Sequence, residues 1–202
     1  MNNAAARPTI PWLSLSLLTV LIALAPYAMN FAPNGSYYVG QTVHEPDSPA
    51  ALYPQRVALV IFGLVATVVA FAELVRFFRR GRRDYLTLGP PFAAFFACAV
   101  VGWRCYPYWV MGVYQVRIGA FPWRDQDPKS LIPMTWIGDF WRVPVILLTL
   151  LCYVVLPSLL VLTIVLIWHR QFVAAVITAY CASIALLFML AFSPNYMEWL
   201  MD

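Results

Sequence analysis

Five stretches of this chain, 10–28, 57–78, 86–110, 140–168 and 172–192, consist almost wholly of apolar residues. About 20 such residues in helical conformation cross the hydrocarbon core of a bilayer. In lipid each backbone N–H and C=O must be satisfied internally, which selects helices over an open sheet. The expected fold class is all-α: a polytopic integral membrane helical bundle with about five transmembrane helices. Composition agrees, with 62% hydrophobic and 11% charged residues and a mean hydropathy of +0.74. A soluble domain carries about 25% charged residues, so this chain could not cover a water-facing surface. No second compositional block interrupts it, and 1–202 reads as a single transmembrane domain.

Orientation follows from the arginines. Arg76, Arg79, Arg80, Arg82 and Arg83 crowd the short link between the second and third segments, which places that link on the cytoplasmic side. Arg7 and the His169-Arg170 pair fall on the same side. The outer side then receives loops 30–55 and 111–139 and the tail 193–202, where Arg117, Arg124 and Lys129, with Arg56 and Arg142 just beyond the loop bounds, are diluted by acids. The amino end is expected in the cytoplasm, the carboxyl end outside, and the protein in the inner (cytoplasmic) membrane. Ala23-Leu24-Ala25 resembles a cleavage site, but Pro26 directly after it should block cleavage, so the first segment reads as a retained anchor. All but one of the 13 basic residues are arginine, a bias that suggests a GC-rich, bacterial genome. Nothing in the charge points to nucleic acid.

Helix packing in lipid relies on small residues that let backbones approach. The last segment carries them at four-residue spacing, Ala174, Thr178 and Ala182 with Ala175, Ala179 and Ser183 one position on. Gly63, Ala66 and Ala70 form a lesser version in the second segment. These faces suit packing within the chain or against a partner subunit. The fourth segment, dense in Leu, Val and Ile, suits a lipid-facing helix, and Pro157 should kink it.

Ionisable residues inside apolar spans are functional candidates by default. Glu73 lies near the basic end of its segment, and Arg76 three positions on is placed to pair with it at the interface. Arg104 lies roughly 27 Å along the third segment, among Trp103, Tyr106, Tyr108 and Trp109, where snorkelling to the outer interface is expected. The two histidines, His44 and His169, fall at opposite faces, so no haem held by two histidines of this chain is expected. His169 alone remains a candidate ligand for a pigment or cofactor. His44, Glu45 and Asp47, with Asp125 and Asp127, are the candidate metal ligands of the outer loops. Cys98, Cys105, Cys152 and Cys181 form no C-x-x-C pair and read as apolar core residues. The outer segment 115–139 mixes aromatic and turn residues, and Trp123, Arg124 and Trp136 are its candidate docking residues.

The middles of the segments are nearly bare of polar residues, which disfavours a coupled transporter. No histidine is placed to serve a nucleophile, and there is no phosphate-binding glycine loop or H-E-x-x-H motif. The expected role is a non-catalytic accessory, scaffold or assembly subunit of a larger inner-membrane complex, with the electron-transport or pigment-containing kind as the narrower expectation. Its expected partners are the lipid bilayer and other membrane subunits. The alternative is a small solute transporter or lipid-handling membrane enzyme using Arg104 and the outer acids.

Overall fold

The computed structural model describes the backbone of residues 10–31, 49–79, 85–118 and 135–191, with side chains described over 10–24, 60–79, 86–105 and 147–190. These residues form five helices and, among them, no strand: α1 (Trp12–Phe31), α2 (Pro49–Arg79), α3 (Tyr85–Ile118), α4 (Thr135–Trp168) and α5 (Phe172–Ala191). Four contain a stretch long and apolar enough to cross a membrane, at Val60–Arg79, Leu86–Cys105, Leu147–Trp168 and Phe172–Leu190. In α1 the apolar stretch is shorter, Trp12–Leu24. The protein is thus an all-helical bundle of the multi-pass membrane type.

Long-range contacts fix an up-and-down order. Ser14 near the start of α1 meets Glu73 near the end of α2. Gly63 on α2 faces Cys105 on α3. Leu86 at the start of α3 packs with Leu166 near the end of α4 and with Ala174 and Ala175 at the start of α5. The basic ends therefore gather at one end of the bundle, Arg76 and Arg79 on α2 with His169 and Arg170 in the α4–α5 turn. Phe77 and Phe92, with ring centroids 6.2 Å apart, bridge α2 and α3 near this end.

Several helices run beyond the segments that hydropathy marks. α2 begins eight residues earlier than 57, α3 continues to Ile118, and α4 starts at Thr135. Segments 49–55, 111–118 and 135–139, expected as loop, are helical. At 1.5 Å rise, the 34 residues each of α3 and α4 extend roughly 50 Å, well past a hydrocarbon core of about 30 Å. Hydropathy senses where lipid ends, whereas helix continues while the backbone ladder and packing favour it.

The central helix is α3. Its buried residues include Gly89, Ala93 and Ala97 at four-residue spacing and Ala94, Cys98 and Gly102 in a second row. This run of small side chains lets α2 and α5 close in from either side. The α2–α3 crossing is the tightest: a Cβ placed at Gly63 would lie 2.5 Å from Cys105 Cβ, and one at Gly102 would lie 2.5 Å from Thr67 Oγ1. At α3–α4, a Cβ on Gly89 would come within 3.1 Å of Leu162 Cδ2. By contrast α4 leaves Leu150, Tyr153, Val154, Leu160, Val161 and Ile164 exposed, as suits a helix bordering lipid. It remains helical through Pro157, and Ser158 Oγ donates to the Val154 carbonyl at 2.8 Å.

α4 ends in a tight turn. Gln171 N–H donates to Leu166 O and Arg170 N–H to Ile167 O, both at 2.9 Å, the pair of bonds that closes a Schellman motif. Its C′ position requires the left-handed region, and Arg170 occupies it at φ 57°. For a residue with a Cβ this costs about 1 kcal/mol relative to glycine.

Candidate functional site

Two polar constellations lie within the apolar bundle, one towards each end. The first is centred on Glu73, whose side chain is only 1% exposed. Its Oε1 accepts from Ser14 Oγ at 3.1 Å and from Arg76 Nη1 at 3.1 Å. Arg76 lies one turn further along α2 and its side chain is 51% exposed, so the guanidinium reaches outward while the carboxylate stays inside. Glu73 Oε2 is buried and has no hydrogen-bond partner among the described residues. Cys98 of α3 and Cys181 of α5 adjoin this group, so four helices converge on it. The local reading of Glu73 and Arg76 as an i,i+3 pair describes the contact but not the depth. Ser14 on another helix holds the carboxylate in the core, and no local spacing announces a partner 59 residues away.

Ser14→Ala is expected to destabilise the bundle by about 1 kcal/mol, because a buried acceptor loses a donor. Arg76→Ala should change stability little, since a half-exposed guanidinium is screened. Thermal unfolding of the purified variants in detergent checks both; an Arg76→Ala loss larger than that of Ser14→Ala would contradict this assignment.

The second constellation is built on Arg104 of α3. It was expected to snorkel outward, yet it is 7% exposed. Its Nε donates to the Phe188 carbonyl at 3.1 Å and its Nη2 to the Met189 carbonyl at 2.9 Å. These belong to the last turn of α5, where the four final carbonyls have no donor from their own helix. A guanidinium fork suits two successive carbonyls, and its charge suits the negative end of the helix dipole. Arg104 also stands 5.4 Å from the centroid of the Trp103 ring. The Trp103 Nε1 is buried with no partner among the described residues.

A third polar link joins α1 to α5, where the Thr19 and Tyr180 hydroxyls are 2.7 Å apart. The small-residue face of α5 is spent largely inside the chain. Ala174, Ala175, Thr178 and Ala182 are buried, Ala179 is half-buried, and Ser183 is exposed with its hydroxyl bonded to the Ala179 carbonyl. Gly63, Ala66 and Ala70 of α2 are buried as well.

His169 is exposed at the end of α4, in the turn before α5. Among the described residues no three or more His, Cys, Asp or Glu side chains are grouped to hold a metal ion. The four cysteines are free and buried. His44, Glu45, Asp47, Trp123 and Arg124 lie outside the described residues, as do Asp125 and Asp127. Trp136 falls within α4, and its side chain lies outside the described set. The arrangement that the described residues do make is mechanical: both intramembrane charges bind one helix to another. Comparison with protein-family models, curated proteins and solved structures finds no match for this chain.

Proposed function

We propose that this chain is a non-catalytic accessory or scaffold subunit of a larger membrane complex. The observation that carries the reading is the use of its intramembrane charges. Glu73 fastens α1 to α2 through Ser14, and Arg104 fastens α3 to the end of α5. Charges that serve transport or catalysis instead face a cavity or a substrate. The outward Leu, Val and Ile surface of α4 supplies an apolar flank for neighbouring subunits as well as lipid. In this proposal Trp123, Arg124 and Trp136, read from the sequence as outer-side residues, are the docking residues.

In this proposal α1 counts as a fifth span. The amino end and the arginine-bearing ends face the cytoplasm of a bacterial cell, the carboxyl end lies outside, and the membrane is the inner one. Within that class we favour an electron-transport or pigment-containing complex, on the tryptophans that the sequence places in its outer half.

Charge replacement in cells tests the reading. Arg104→Gln and Glu73→Gln should lower the amount of assembled protein in step with their loss of stability, and Asp125→Asn should leave the amount unchanged. Loss of a transport or enzymatic activity with normal protein abundance would overturn the subunit reading in favour of a transporter or lipid-handling enzyme.

A further inference from the structure

We infer that the α4–α5 turn is a seat for an anionic phospholipid, with the headgroup phosphate at His169 and Arg170 and an acyl chain on the apolar flank beside them. The end of α4 presents Trp168, 84% exposed, followed directly by the exposed His169 and Arg170. The Schellman bonds already satisfy the Leu166 and Ile167 carbonyls, so neither side chain is needed to cap α4. Neither pairs with a carboxylate among the described residues. Ile164, one helical turn before Trp168, is exposed on the same face of α4, and Phe172 and Val173 are exposed at the start of α5.

A tryptophan at headgroup depth, an arginine and a histidine N–H beside it and apolar side chains beneath reproduce the order of chemistry in a phospholipid, from acyl chain to phosphate. Arg76 and Arg79 stand at the same end of the bundle and reinforce the positive potential. Charge complementarity therefore commits the seat to an anionic lipid rather than to phosphatidylcholine. An acidic surface of a neighbouring protein would use Arg170 but leave the apolar side chains idle.

Full-length protein in nanodiscs of phosphatidylcholine, alone or mixed with phosphatidylglycerol, tests this. The wild type should unfold at a higher temperature in the mixed bilayer. On release into detergent, native mass spectrometry should find phosphatidylglycerol retained over phosphatidylcholine. Arg170→Gly should weaken that retention about fivefold, the factor for one arginine at the surface. It should also lose most of the mixed-bilayer gain, whereas Arg170→Lys keeps it. In pure phosphatidylcholine, Arg170→Gly should unfold at or above the wild-type temperature, because glycine adopts the left-handed turn without strain. A folding defect therefore cannot mimic lost lipid binding. Equal retention by wild type and Arg170→Gly would overturn the proposal. So would full reproduction of the gain by soluble glycerol phosphate, which would assign the site to a free phosphate.

Discussion

Gly63→Ala is expected to destabilise the protein by about 2 kcal/mol, although alanine is normally the better helix former. The added methyl would stand 2.5 Å from Cys105 Cβ, an atom fixed to the backbone of α3, so no rotamer change relieves the contact. The α2–α3 crossing must widen, and the buried rows on both sides of it lose packing. A rescue makes the account specific. Cys105→Gly removes the opposing Cβ at a cost of about 0.3 kcal/mol in helix propensity, together with the packing of the buried thiol. The double variant Gly63→Ala, Cys105→Gly should then be more stable than the two single losses sum to, with a coupling of about 1–2 kcal/mol. Cys105→Ala keeps the Cβ and should rescue nothing. Unfolding in mixed micelles of dodecyl maltoside and increasing SDS measures the wild type and each of these variants. A Gly63→Ala protein as stable as wild type would mean that α2 and α3 stand further apart than described.

Arg104→Met is expected to cost about 3 kcal/mol, the largest loss from any single substitution considered for this chain. Methionine keeps much of the apolar stem and removes the guanidinium, with its hydrogen bonds and its contact with the Trp103 ring. Two charge-assisted bonds to the Phe188 and Met189 carbonyls are lost, each worth about 1.5 kcal/mol. The carbonyl of the buried Phe188 loses its charged donor, and α5 loses the cation at its negative end. Arg104→Lys should fall between wild type and methionine, because an ammonium cannot span two successive carbonyls as a planar fork does. The same micelle titration reads it, and amide exchange confined to the last turns of α5 locates it. A loss within about 0.5 kcal/mol of zero, the range of ordinary surface changes, would mean that Arg104 does not clamp α5.

Features governed by local chemistry were legible in the sequence. Apolar runs mark the helices because lipid tolerates little else, and the Leu/Val/Ile density of α4 marks a helix with an exposed perimeter. The buried Ala174, Thr178 and Ala182 of α5 are readable from spacing alone, though spacing does not say whether the chain or a partner covers them. The central place of α3 was missed despite a signal of the same kind. Gly89, Ala93 and Ala97, with Ala94, Cys98 and Gly102, form two small-residue rows, but Phe92, Phe95, Phe96 and Trp103 between them draw attention to bulk.

The depth of the charges was not legible. Ser14 and Glu73 are 59 residues apart and Arg104 and Phe188 are 84 apart, so neither contact leaves a trace in local spacing. A lone arginine near aromatics reads as snorkelling until the carbonyl end of a neighbouring helix is seen beside it. The helical extensions past the apolar runs were also hidden, because hydropathy falls at the headgroups while the helix continues.

Purification of the tagged protein from its native membrane in gentle detergent tests the subunit account most directly, with co-purifying chains identified by mass spectrometry and the visible spectrum recorded. The account predicts stoichiometric membrane partners, whose identity names the process, with any absorption band assigning a pigment or haem to the assembly. A colourless particle containing this chain alone would contradict it, and Arg104 and the outer acids would then be the groups to examine for transport or catalysis.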